Sequence, residues 1–330
     1  MTKKILLVTG ANGLLGSNLC LAAARRGYEV RALMRAPQRC AAFTTAGISL
    51  LRGDVTDLES IRAAARGASG IVHAAAVLGG TWSKATPQDY WDVNYRGTVN
   101  VMEAAHREGV ARMVDLDTLA ILDWAHTITE RSPIAPITPD DSPYVAAKRA
   151  SYYEGMHRAA RGQDITFVTP AGIYGPGPFI ERALHPTSFT GTLAMALGGR
   201  LAEYVRFPLL WAYVDDVAAI CLAALERARS GERYLACGRV EDACSIAELC
   251  NHAAVVAGIP HRVRDVDLSA GGDAIGSMAK LATRRHADPL LDSSGTQKST
   301  GVTPISLNEG LRRTVEWLLP RGSTRSLSED

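Results

Sequence analysis

The 330-residue sequence predicts a doubly wound parallel α/β sheet followed by a smaller C-terminal lobe. Three observations carry that reading. Short apolar runs at Ile5–Thr9, Glu29–Met34, Ser49–Arg52, Gly70–Ala75, Arg112–Leu116 and Thr166–Thr169 alternate with helix-length segments. That alternation is the rhythm of strand–helix–strand units joined by right-handed crossovers. A glycine-rich turn, Gly10-Ala11-Asn12-Gly13-Leu14-Leu15-Gly16, follows the first run. Beyond Pro176-Gly177-Pro178 the rhythm breaks, and Phe179–Phe207 mixes apolar and polar residues without clean repetition.

Each element has its own justification. Ile5–Thr9 is apolar without interruption, as a strand buried on both faces must be. The turn after it has Gly-x-x-Gly-x-x-Gly spacing, shifted from the usual dinucleotide fingerprint. Its glycines let backbone approach a pyrophosphate, whose charge suits the free N–H groups of the helix that starts there. Gly10, Asn12, Gly13, Leu14, Leu15 and Gly16 are therefore candidate cofactor-binding residues. A strand-to-helix turn that serves no nucleotide is the plain alternative. The second run ends at Arg35. An acidic residue about twenty positions beyond the turn would bond a ribose 2′-hydroxyl and select NAD, and none stands there. Arg35, with Arg39 close behind, offers a guanidinium that suits a 2′-phosphate bidentately. NADP(H) is favoured on this ground, with NAD(H) as the alternative; two solvated arginines on an ordinary loop are the bland reading.

The segment Tyr144-Val145-Ala146-Ala147-Lys148 pairs a proton donor with a cation four residues on, the spacing that shares one helix face. A nearby ammonium favours phenolate over phenol, so Tyr144 could exchange a proton nearer neutrality than the ordinary pKa of about 10 allows. Carbonyl–alcohol interconversion needs such a group.

Taken together, these residues resemble the extended short-chain dehydrogenase/reductase superfamily, with its Rossmann-type sheet, and among its members dihydroflavonol reductases and hydroxysteroid dehydrogenases. The resemblance runs through most of the chain. It implies that Asp54 and Val55, in Gly53-Asp54-Val55-Thr56-Asp57, sit beside the adenine. It places Ala74, Ala75 and Ala76 under the cofactor, and Pro170, Gly172 and Ile173 in a cofactor-contacting loop. The Tyr213–Ala218 motif is then structural. Thr118 takes the place of a Ser-rich run at the hydroxyl position and would hold the substrate oxygen with Tyr144. Tyr144 would give the proton, while Lys148 would lower its pKa and hold the nicotinamide ribose. Asn94 would prop the site and anchor a water that relays protons to Lys148. Asp115 and Asp117 depart from the family pattern. They either face a polar pocket or raise neighbouring pKa values through like charge. A homodimer packed through helices flanking Asn94 and Tyr144 is a further implication.

By this reading residues 1–175 form the nucleotide-binding part, whose core also receives parts of 208–240. Residues 176–320 form mainly the substrate lobe, and 321–330 a disordered tail. Net charge is +2, which gives no electrostatic case for nucleic acid or an anionic membrane. No apolar stretch approaches membrane-spanning length, and the segment after Lys3-Lys4 is too short for a signal peptide. The cytoplasm is the simplest home. Six cysteines without Cys-x-x-Cys spacing suggest neither metal site nor redox pair. His73 is expected to pack near the cofactor, and His106, His126 and His157 to lie on solvated faces. Trp82, Tyr90 and Trp91 either line a pocket or pack helices.

The lobe is apolar through Phe179, Ile180, Leu184, Phe189, Leu193, Met195 and Leu197, with Arg182, Arg200 and Arg206 as its few cations. Leu119 stands where sugar-nucleotide dehydratases usually carry an acid. The expectation is an NADP-dependent oxidoreductase acting on a small, fairly apolar molecule. An NAD-dependent nucleotide-sugar epimerase and a nucleotide-binding regulator without chemistry are the alternatives.

Overall fold

The computed structural model describes residues 4–79, 83–139, 141–206, 209–266 and 291–319. Trp82 and the expected tail at 321–330 lie outside the described residues. Strands run β1 (Ile5–Thr9), β2 (Glu29–Met34), β3 (Ser49–Arg52), β4 (Gly70–His73), β5 (Met113–Leu116), β6 (Ile165–Pro170), β7 (Gly172–Tyr174), β8 (Glu203–Val205), β9 (Trp211–Tyr213), β10 (Arg233–Ala236) and β11 (Arg264–Val266). Seven of them form one sheet in the order β10-β6-β5-β4-β1-β2-β3. All its pairings are parallel. The order reverses between β1 and β4, so the crevice for a ligand opens at their carboxyl ends.

Both faces of the sheet are covered, which is why its strands are apolar throughout. Leu19, Cys20 and Ala23 from the helix Leu14–Arg25 and Val217, Ile220 and Cys221 from the helix Val214–Arg227 close one face. Ile61, Val101, Met102 and Tyr152, from the helices Leu58–Ala65, Thr98–Arg107 and Pro143–Ala160, close the other. A third buried cluster, including Leu193, Leu197, Trp211, Leu249 and Leu311, fills the C-terminal half.

Several elements differ from expectation: the short strands β7, β8, β9 and β11 were not among the expected runs, and β7 falls in the expected cofactor loop. β4 ends at His73, two residues short of the expected Ala75. Beyond His73 the backbone leaves the ladder, and the Ala75 N–H donates to the Thr9 hydroxyl at 3.3 Å. The β10 strand was not anticipated as a strand. It adds to β6 through Arg233↔Phe167 and Leu235↔Thr169, after the chain has passed through the C-terminal lobe. The expected return of Tyr213–Ala228 to the core is the helix Val214–Arg227, and Asp216 there accepts from the Ile305 N–H at 3.0 Å.

Candidate active site

A cavity of about 350 Å³ opens at the carboxyl edge of the sheet. The glycine turn forms one wall. Gly10 has φ +65°, and a Cβ there would lie 2.7 Å from the Ala75 backbone, so the turn nests against the residues that follow β4. Gly13 caps the helix Leu14–Arg25 with no side-chain bond to its first N–H groups, and Gly13, Leu14, Leu15 and Gly16 all line the cavity. A helix start uncapped by side chains suits an anionic group. Ala74 and Ala76 line the cavity as well, and so do Pro170 at the end of β6 and Gly172 and Ile173 in β7. Ala75 is taken up by its contact with Gly10.

The adenosine-end candidates lie away from this cavity. Arg35 is exposed just beyond β2, with no hydrogen bond or ion pair among the described residues. Asp54 accepts from the Thr56 N–H and hydroxyl, each at 2.9 Å, which fixes the loop after β3. Val55 is buried, and its carbonyl accepts from Asn100 at 3.0 Å.

Ser142 caps the helix Pro143–Ala160 by accepting from the Val145 N–H at 3.3 Å, and Pro143 occupies the first turn. That start point sets Tyr144 on the cavity wall and Lys148 one turn deeper. The Tyr144 ring packs edge-on against Tyr90 with centroids 6.0 Å apart. On its other side a Cβ at Gly79 would lie 3.1 Å from Tyr144 Cγ. The enclosure pushes the phenol up to about 12, while a hydrogen bond from Thr118 acts in the opposite direction. The sequence had suggested a phenol lowered by Lys148. Instead the Lys148 ammonium donates to the Leu116 carbonyl at 2.6 Å and is 3 % exposed, and desolvation governs the phenol. Tyr144 is thus a protonated group at neutral pH, the state a proton donor requires.

Asn94 sits in a π-helical turn, Trp91–Gly97. Its amide bonds Val77 at both ends, accepting from the N–H at 2.8 Å and donating to the carbonyl at 2.9 Å. It therefore props the loop after β4. Beside it, the Thr98 hydroxyl donates to the Asn94 carbonyl at 2.8 Å and contacts His73 Nε2 at 3.0 Å. Since that hydroxyl proton is spent, Nε2 carries the imidazole proton and Nδ1 accepts from Thr9 at 2.7 Å. Burial and Lys148 hold His73 neutral, pushing its pKa down to about 3. His106, His126 and His157 are exposed, as expected. The described cysteines are all free, and no cluster of metal-ligating side chains occurs among the described residues.

Of the expected apolar lobe residues Phe189 lines the cavity, while sequence reasoning missed Leu78, Gly79, Trp124, Pro186, Thr187, Ser188, Thr192, Tyr204 and Leu209. They come from loops, from the helix Phe189–Leu197 and from β8, with no motif to mark them. Tyr90 and Trp91 do not line the cavity; Trp91 packs edge-on against Tyr95 at 5.6 Å.

Asp115 and Asp117 share one face of the strand end, either side of the carbonyl that holds Lys148. One oxygen of Asp115 and both oxygens of Asp117 are buried without a partner. Burial pushes the Asp115 carboxyl up to about 6 from its ordinary 3.8, with Lys148 opposing. Between these values the folded chain keeps a proton that the unfolded chain has released. Stability from this group is therefore full at low pH and is lost as pH rises through about 6. Asp115→Asn is expected to be more stable than the native chain near pH 7.5 by up to ~3 kcal/mol and nearly equal to it near pH 4. Urea unfolding at the two pH values checks this; an equal gap at both would contradict it.

Comparison with known proteins places this geometry. The NAD dependent epimerase/dehydratase family model matches residues 6–237. Sterol demethylase protein B of Methylococcus capsulatus is 30% identical, over 96% of this chain and 98% of its own length. A putative dihydroflavonol 4-reductase of Synechocystis is 28% identical, over 77% of this chain and 72% of its own length. Among solved structures, a UDP-glucose 4-epimerase of Thermotoga maritima with UDP-glucose superposes with a TM-score of 0.79 at 20% identity, over 96% of this chain and 99% of that one.

Proposed function

The chain belongs to the NAD dependent epimerase/dehydratase family, the extended short-chain dehydrogenase/reductases, and we propose that it is an NADP-dependent oxidoreductase interconverting a carbonyl and an alcohol on a small, largely apolar molecule. One observation carries the choice of chemistry. Leu78, Leu119, Ala120, Trp124, Phe189 and Leu209 line the cavity, and Lys148 is its one cationic side chain among the described residues. Arg182, Arg200 and Arg206 are exposed and stand outside it. With the helix start given to the cofactor, the described lining offers a substrate diphosphate no second cation to pair with, whereas an apolar ketone fits this wall. The relative named as a dihydroflavonol 4-reductase supports the same direction.

Gly13–Gly16 would hold the pyrophosphate on the helix start, Asp54 and Val55 the adenine, and Arg35 the 2′-phosphate. The bound nicotinamide supplies the hydride. Thr118 and Tyr144 hold the substrate oxygen between them, and Tyr144 gives up its proton as charge develops there. Lys148 keeps a positive charge behind the phenol while the proton is away. The apolar wall excludes water from the reacting carbon. Residues 1–175 with parts of 208–240 would serve the cofactor, and 176–320 mainly the substrate. A homodimer through the helices flanking Asn94 and Tyr144, working in the cytoplasm, completes the reading. No helix among the described residues is long and apolar enough to cross a membrane.

Arg35→Asp tests the cofactor assignment. The ratio of kcat/KM with NADPH to that with NADH is expected to fall about 10–100-fold, the worth of one charge-assisted pair. Steady-state kinetics with a single apolar ketone measure it, and an unchanged ratio would rule Arg35 out as the phosphate ligand.

A further inference from the structure

Each ketone reduced consumes a proton, and Tyr144 must be resupplied after every turnover. Asn94, the group the resemblance offered for that task, bonds Val77 through both ends of its side-chain amide. Asp117 is not engaged. It is 5 % exposed, its two carboxyl oxygens have no partner, and its residue lines the cavity next to Thr118, whose hydroxyl bonds Tyr144.

We propose that Asp117 is a proton-holding residue behind Tyr144: its carboxyl returns a proton to the phenolate after each reduction, and Lys148 balances the carboxylate left behind. The inference rests on the reductase reading.

The surroundings of Asp117 fit that task. Lys148, Tyr144 and Tyr152 face it from the helix Pro143–Ala160, Asp115 from its own strand and Arg233 from β10. His73 pairs with Asp115 in the β4–β5 register. Of these, His73 is held neutral and Asp115 is half-titrated near 6. Burial and the charge of Asp115 hold Asp117 well above the usual carboxylate range, with Lys148 and Arg233 opposing. A carboxyl that burial raises above its ordinary range is better matched to the raised Tyr144 phenol as a proton donor than an ordinary carboxyl would be. The protons balance. The carbonyl carbon gains a hydride, and its oxygen gains the Tyr144 proton. Tyr144 regains one from Asp117, and Asp117 regains one from solvent through the cavity.

Asp117→Asn keeps the shape and removes the transferable proton. Infrared spectra of the free protein over about pH 5–9, unmodified against Asp117→Asn, test the proton directly. A protonated-carboxyl band that persists above the Asp115 transition in the native chain and is missing from the variant is expected. In the loaded enzyme, kcat for an apolar ketone is expected to fall about 10–100-fold with KM within about threefold. The first turnover should be spared relative to later ones, since Tyr144 starts protonated. Asp115→Asn, which keeps the Asp117 carboxyl but removes a charge that raises it, should retain a protonated-carboxyl band displaced to lower pH, and so separates the two carboxyls. A missing band in the native chain, or an Asp117→Asn protein with native kcat, would overturn the relay alone. A native chain with the band that reduces no ketone would overturn the reductase reading and the relay with it.

Discussion

Tyr144→Phe is expected to lower kcat for NADPH-dependent ketone reduction about 10²–10⁴-fold, the range a positioned proton donor supplies. KM and NADPH affinity should hold within about threefold, because the substitution removes a single oxygen. The ring keeps its edge-on contact with Tyr90 and its place against Gly79, so the cavity wall survives. What disappears is the phenol bonded by Thr118 and the proton it carries at neutral pH. Stopped-flow or steady-state kinetics, alongside a nucleotide titration, separate the two quantities. A variant that turns over like the native chain would remove Tyr144 from the chemistry. A nucleotide-binding regulator would also be indifferent to the change.

The second large effect is expected at Gly16. A Cβ there would lie 2.2 Å from the Gly10 carbonyl oxygen and 2.8 Å from its carbon, and both are backbone atoms of the turn. Gly10 has no room to withdraw, since it packs so close that a Cβ on it would lie 2.7 Å from the Ala75 backbone. Gly16→Ala must therefore open the turn between β1 and the helix Leu14–Arg25. A loss of about 3 kcal/mol or more is expected, in the upper range for single substitutions. NADPH binding should be lost with it, because the helix start is displaced. Gly47→Ala is the control: it also changes a glycine, at φ +66°, but nothing lies within 4 Å of the added atom. Its cost should be about 1–2 kcal/mol, the left-handed backbone penalty alone. Urea unfolding of both variants checks the contrast, and equal losses would show that contact with Gly10 is not the cause.

The strands were legible where apolar runs end in marked turns. β1, β2 and β3 fall where their sequences suggest, since each is followed by a glycine or a charged residue: Gly10, Arg35 and Gly53. The end of β4 was overextended because Ala74 and Ala75 look like more of the same strand. A side-chain hydroxyl on Thr9, distant in sequence, takes the N–H that would have continued the ladder. β10 was hidden because its partner β6 lies far back in the chain. At the site, i,i+4 spacing was enough to put Tyr144 and Lys148 on one cavity. It could not reveal which carbonyl Lys148 binds, nor that enclosure outweighs the ammonium at Tyr144. The loop residues Pro186, Thr187, Ser188 and Trp124 reach the cavity through tertiary folding alone. Asp115 and Asp117 were conspicuous as charges at a strand end; only the packing shows how little partners them.

The most direct test of carbonyl reduction is isotope transfer. The purified chain is incubated with a panel of apolar ketones and NADPH deuterated at the transferable hydride, and the alcohols are analysed by mass. Deuterium on the carbinol carbon, with NADP⁺ formed in step with alcohol, is the result expected of an NADP-dependent reductase. No deuterated alcohol from any ketone, with UDP-glucose instead interconverted without net nucleotide oxidation, would contradict it and establish an epimerase.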